Sequence, residues 1–127
     1  MRLLVDGMNV IGSKPDRWWR NRERAMRRLV SSLAAFAAAS GIDVIVVLDG
    51  QPFDLEEEFE GLTVRFAPGG RDAADDEIVR IVQGDPAPET LVVTTSDREL
   101  QRRVEALGAQ VSHAKSFRER LDELQSE

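Results

Sequence analysis

Five short apolar runs constrain this chain more than anything else in it: Leu3 to Val5, Val44 to Leu48, Leu62 to Phe66, Leu91 to Thr94 and Ala109 to Ser112. Several are continuous rather than alternating, as expected of strands covered on both faces in a parallel sheet. Helical periodicities separate them. From about Arg17 to Ala39, Met26, Leu29, Val30, Leu33, Phe36 and Ala37 fall at helical spacing, with an alanine-rich end and Gly41 as the stop. Ala73 to Val82 places Ile78 and Val82 on one face, and Gly84, Pro86 and Pro88 end it. A further helix begins at Ser96, whose S-x-x-E with Glu99 reads as a capping box, and Leu100, Val104 and Leu107 form its buried stripe before Gly108. The last helix covers Phe117 to Leu124. Strands alternating with helices predict an α/β fold, a Rossmann-like open parallel sheet of about five strands flanked by helices.

A chain of 127 residues is ample for one domain with its own core, and residues 1–127 are expected to form one. There is no cysteine, which excludes disulfides, thiolate zinc sites and cysteine nucleophiles. No run approaches roughly 20 apolar residues, and the first residues lack the basic start and long apolar core of a signal peptide. The expectation is a soluble cytoplasmic protein without a membrane partner.

The placement of the aspartates points to chemistry. Asp6 in LLVDGMN, Asp49 in VIVVLDG and Asp97 in LVVTTSD lie just past strand-like runs, and Asp75 in RDAADDEIV lies at a helix start. If the runs are neighbouring parallel strands, three of these carboxylates emerge at the end of the sheet where open α/β folds bind ligands. Each alone has a structural explanation, because Asp caps helices and starts turns. Together they repel, and a cation is the usual compensation. Oxygen-only donors favour a hard ion, Mg2+ or Mn2+. Asn9 lies in the turn leaving the first strand, where its amide could orient a water or a phosphate oxygen without adding charge, or serve an Asx-turn to Gly7 or Gly12. Asp76 adds a further acid, but adjacent helix positions point about 100° apart, so only one of Asp75 and Asp76 need face the site.

The net charge of -6 is unevenly spread. Between Lys14 and Arg28 there are seven Lys or Arg against two acids, a local +5 that leaves -11 on the rest. A basic arm on an acidic body is suited to phosphate backbones. Within it Arg17, Arg20, Arg24, Arg27 and Arg28 can meet phosphates, and Trp18 and Trp19 can stack on unpaired bases. The competing reading has one tryptophan packing under the loop and the arginines only solvating a helix face. Gly69, Gly70 and Arg71, before the acidic helix, form a flexible loop that could admit a backbone phosphate.

In this order, VDGMNVIG, VVLDG, AADDEI and VVTTSDREL resemble the NYN domain of bacterial YacP-like proteins, a branch of the PIN-like ribonucleases, from Arg2 to about Phe117. The resemblance implies a PIN-like sheet and metal-dependent cleavage of RNA, an (endo)ribonuclease-type hydrolase. Carried over by position, it implies catalytic roles for Asp6, Asn9, Asp75 and Asp97. It also implies metal ligation by Asp6, Asp75 and Asp97, with Asp49 and Asp76 as further acids at the site. The basic arm and the glycine loop, rather than the resemblance, supply the expected RNA-binding residues Arg17, Trp18, Trp19, Arg20, Arg24, Arg27 and Arg71. The implied cofactor is Mg2+ or Mn2+ and the partner is RNA, free or ribosome-associated, with oligomeric state left open. Met8 stands where the family often has an aromatic, and the chain has no tyrosine.

Other chemistries fail on detail. Gly7 and Gly12 have the Walker A spacing, but Lys14 follows Ser13 where the order must be reversed, and Pro15 removes a donor. A haloacid-dehalogenase-type phosphatase needs a second acid at Met8, and no G-x-G-x-x-G is present. The single histidine, His113, cannot build an acid/base pair. The competing reading is a catalytically inactive PIN-like RNA-binding or protein-interaction module.

Overall fold

An apolar run without alternation must bury both its faces, and the central strand does so. In the computed structural model, which describes residues 1–55 and 57–126 (Ser126 without its side chain), β1 spans Arg2–Asp6. Leu3 and Val5 enter a core on one side of the sheet and Leu4 a second core on the other.

The remaining strands are β2 (Asp43–Asp49), β3 (Leu62–Ala67), β4 (Leu91–Thr94) and β5 (Gln110–Ser112). All pair in parallel in the order β3-β2-β1-β4-β5. The chain winds outward from β1 through β2 to β3, then returns to the other side of β1 for β4 and β5. Such a reversal opens a crevice at the carboxyl ends of the two strands flanking it, here β1 and β4.

Among the described residues, five α-helices cover the sheet: α1 (Gly7–Ile11), α2 (Arg22–Ser40), α3 (Ala73–Gln83), α4 (Arg98–Ala106) and α5 (Ala114–Ser126). Residues of α1, α2 and α5 share the core with Leu3 and Val5, whereas α3 and α4 share the core with Leu4. The α2 stripe of Met26, Leu29, Val30, Leu33, Phe36 and Ala37 is buried as its spacing predicts. At the far end of the sheet, Arg2 makes two hydrogen bonds to Asp85, 2.7 and 2.8 Å, which tie the start of β1 to the loop after α3. The guanidinium holds the Asp85 carboxyl down at about 2.

Three local expectations are corrected. The helix expected from Arg17 starts at Arg22, because Asn21 accepts a hydrogen bond from the Arg24 N–H as its cap, and Trp18–Arg20 forms a separate 3-10 turn. The helix expected to begin at Ser96 is capped instead by Asp97, which accepts from the Glu99 and Leu100 N–H groups. The turn expected after β1 is the helix α1. Gly7 makes that helix possible, since a Cβ there would lie 2.6 Å from Leu48 Cδ2 and 2.9 Å from the Val47 carbonyl oxygen.

Because both neighbours belong to a packed strand, Gly7→Ala is expected to destabilise the fold by about 1 to 3 kcal/mol, the usual cost of overpacking. A denaturant titration checks this, and an unchanged midpoint would show that β2 yields to the methyl group.

Candidate functional site

The crevice between β1 and β4 is built around one carboxylate. Asp6 ends β1 with only 6% of its surface exposed. The register that pairs Val5 with Thr94 brings Thr95 alongside it, and the Thr95 hydroxyl donates to Asp6 Oδ2 at 2.8 Å. Thr95 is itself fully buried; its hydroxyl oxygen accepts the Asp97 N–H at 3.2 Å and its carbonyl accepts from Gln101 Nε2 at 2.8 Å. One threonine therefore orients Asp6 and anchors the segment carrying Asp97.

Asn9, on α1, reaches across the strand ends: its Oδ1 accepts the Ser96 N–H at 2.8 Å. That contact replaces the alternative turn to Gly7 or Gly12. Ser96 in turn accepts the Ala114 N–H, so the loop after β4 is pinned from both sides.

β2 contributes Asp49, half-buried and 3.8 Å from Arg22 at the start of α2. Gly69 and Gly70, both with positive φ, turn the chain after β3 into α3. Asp72 caps that helix in the left-handed region, at φ 66°, which Asp tolerates better than most residues. Asp75, on the first turn of α3, faces the crevice. Asp76 is rotated away, mostly exposed, and lies 3.5 Å from Arg103.

The result is a cleft of about 290 Å3 lined by Asp6, Asn9, Asp49, Asp72, Asp75 and Asp97, with Met8 and Ala74 completing the wall. Among the described residues, no lysine or arginine lines it. Burial pushes the Asp6 carboxyl up to about 6, and the charges of Asp75 and Asp97 add to the effect, while the Thr95 hydroxyl and the Asn9 N–H pull it down. The Asp75 carboxyl is raised as well, first by burial and then by Asp97 and Asp72, with Arg103 opposing.

Among the described residues, no three His, Cys, Asp or Glu side chains stand close enough to form a ready ligand set for a metal ion. Asp6, Asp75 and Asp97 thus share a cleft without the spacing of a preassembled site. Their chemistry still fits a hard cation, since all donors are oxygens and, of the positive side chains, only Arg103 from outside the cleft is seen to offset Asp75 among the described residues. Mg2+ in particular needs only one or two carboxylates, with waters and phosphate oxygens filling the rest.

The basic arm divides by direction. Trp18 is half-buried against the core, edge-to-face with Trp19 at 6.1 Å, whereas Trp19 remains 57% exposed. Arg17, Arg20 and Arg24 line a groove with Arg28. Arg27, also expected to bind RNA, lies outside that groove, where it donates to the Asp54 carbonyl at 2.8 Å and lies over the Phe53 ring. Arg71 is exposed on the loop before Asp72, and His113 is exposed and does not line the cleft. Sequence reasoning did not single out Thr95, Asp72, Arg22 or Gln101. The T-T-S-D run carried a signal for Thr95, whose side chain faces the first-strand aspartate if β4 adjoins β1.

The sequence profile of the YacP-like NYN domain matches residues 3–127. The chain belongs to this family. Two crystal structures of Rae1 (YacP) from Bacillus subtilis share its fold. One is 27% identical with a TM-score of 0.79, covering 99% of this chain and 76% of that one. The other, of a point mutant, is 26% identical with a TM-score of 0.78, covering 99% and 77%. No curated protein matches the sequence. The YacP-like NYN family is ribonuclease-like, which makes this NYN domain a nuclease-type protein with RNA as the indicated substrate. No helix among the described residues is long and apolar enough to cross a membrane.

The raised Asp6 carboxyl has a stability consequence. An acid whose folded pKa lies above its unfolded value costs nothing while both states are protonated, well below the ordinary Asp value of 3.8; the cost grows as pH rises through that value and is complete above about 6. Asp6→Asn should therefore stabilise the fold by about 1 to 3 kcal/mol at pH 7.5 and by little at pH ~3. Thermal melts across that range check the sign; a stabilisation independent of pH would remove the charge from the explanation.

Proposed function

We propose that this NYN domain hydrolyses RNA phosphodiesters at the acidic cleft with Mg2+ or Mn2+. The observation that supports the reading is the buried Asp6 carboxylate at the strand crossing, made costlier to ionise by Asp75 and Asp97 and without a positive side chain lining its cleft. Asp6 and Asp75 would hold the ion, with Asp97 contributing through its second oxygen, because Oδ1 already caps α4. When bound, such an ion supplies an activated water and stabilises charge on the leaving oxygen.

The chain's own residues prepare that chemistry. Thr95 holds Oδ2 of Asp6, and the Asn9 backbone N–H meets the same carboxylate, so the two orient it in the cleft. Asn9 uses its Oδ1 on Ser96, so its amide nitrogen is available to donate to a phosphate oxygen. Asp49, paired with Arg22, belongs at the margin of the site, and Asp76 belongs outside it.

The absence of a ready three-residue ligand set among the described residues favours a second reading, an RNA-binding module without catalysis. Incubating the protein with single-stranded and structured RNA, with Mn2+ or with EDTA, separates the two. Cleavage in Mn2+ should be abolished by EDTA and reduced about 100-fold or more by Asp6→Asn or Asp75→Asn, on the scale of the several kcal/mol a metal centre supplies. RNA binding with no cleavage under any metal would favour the module, and cleavage indifferent to EDTA would rule out the metal mechanism.

A further inference from the structure

A second concavity lies on the α2 and α5 face of the sheet, a groove of about 590 Å3. Its floor is apolar, formed by Ile11, Leu29 and Leu121 with the half-buried Trp18. Its charge is one-sided for a structural reason. The two acids that line it are already engaged: Asp16 by Arg118 at 3.0 Å, and Asp122 by Arg118 at 3.5 Å and by Lys14. Arg118 is further occupied by the Val10 and Ile11 carbonyls at the end of α1. By contrast, the side chains of Arg17, Arg20, Arg24 and Arg28 have no hydrogen bond or ion pair among the described residues. Four uncompensated guanidinium groups over an apolar floor are suited to a ligand with repeated negative charges and flat apolar faces.

The groove also stands in a defined relation to the acidic cleft. Met8 and Asn9 of α1 line the cleft, and Ile11 of the same helix lines the groove. The two are thus bordered by the same short helix, their lining residues on it only two to three positions apart. We infer that the groove holds a single-stranded segment of RNA beside the scissile phosphodiester, with phosphates on Arg20, Arg24 and Arg28 and a base against Trp18. One strand then spans groove and cleft along α1. A concave site of this volume admits a nucleotide or two, whereas a duplex is met by elements that project from the protein. The inference rests on the nuclease reading for its choice of ligand and not for its test.

The test is binding of a fluorescein-labelled single-stranded RNA of about 12 nucleotides, measured by anisotropy in EDTA so that cleavage plays no part. The double variant Arg24→Glu/Arg28→Glu should raise Kd about tenfold or more and flatten the salt dependence by about 1.4 logarithmic units per decade, two contacts at about 0.7 each. The double variant Arg102→Glu/Arg120→Glu, with the same change of net charge on exposed residues outside the groove, should do much less. Circular dichroism melts establish that both variants fold. In Trp19→Phe, Trp18 is the sole tryptophan, and its emission should be quenched on RNA addition. Equal losses in the two double variants, an unchanged Trp18 emission, or displacement of the RNA by polyglutamate at equal charge concentration would each overturn the inference. Loss of binding in the groove variant of a protein that cleaves nothing would leave the groove standing and remove the nuclease; cleavage with an indifferent groove would do the reverse.

Discussion

The Asp6 carboxylate and the Thr95 hydroxyl meet at 2.8 Å between the ends of β1 and β4, and the rest of the site depends on that contact. Burying a carboxylate is unfavourable unless hydrogen bonds compensate it. The fold supplies them from the backbone geometry of the sheet itself. β1 is buried on both faces, so Asp6 has nowhere to turn, and its neighbour β4 is in a register that offers a buried donor. Compensation is incomplete: burial first, and then the charges of Asp75 and Asp97 from two other elements, hold the acid well above its usual range. Local structure has traded stability for a charge that gains from any cation entering the cleft.

Most of the scaffold was legible in the sequence because its signals are local. All five strands lie within a residue of their apolar runs at either end, and the buried stripe of α2 follows its periodicity residue by residue. Where the reading slipped, two local signals competed and tertiary contacts decided. Ser96 and Asp97 can both cap a helix, but Ser96 is taken by the Ala114 N–H from α5, which leaves the cap to Asp97. Asn21 interrupts the basic arm because a capping side chain outweighs one more turn of arginines. The short helix α1 had no periodicity to announce it; it exists because Gly7 lets the chain bend against β2 at contact distance.

The site itself was legible in membership and less so in geometry. Asp6, Asn9, Asp49, Asp75 and Asp97 do line one cleft, since strand ends and the α3 start converge wherever the strand order reverses. Orientation was beyond reach: that Asp76 turns to Arg103, that Arg27 turns to the loop at Asp54, and that Asp72 joins the cleft all follow from side-chain directions set by packing. Neutral residues that orient acids were also hidden. Thr95 and Gln101 look ordinary in a chain with many polar residues, and only the β1–β4 register sets Thr95 against Asp6, with Gln101 holding the Thr95 carbonyl.

Charge segregation along α1 joins these parts. An acidic cleft on a chain of net charge -6 repels the very polyanion it would act on, so an approaching strand needs a compensating surface within reach. The structure separates the two signs by one short helix, whose N-terminal end borders the carboxylates and whose C-terminal carbonyls are held by Arg118. Arg118 thereby serves both charges: by engaging Asp16 and Asp122 it frees the groove's other arginines from internal pairing. A cation in the cleft would complete the arrangement, because it reverses the local field at the point where the phosphate must enter, while the arginines hold the strand on the other side of α1. The two grips would then differ in their salt response, since added salt screens the exposed arginine contacts much more than charges buried beside Asp6.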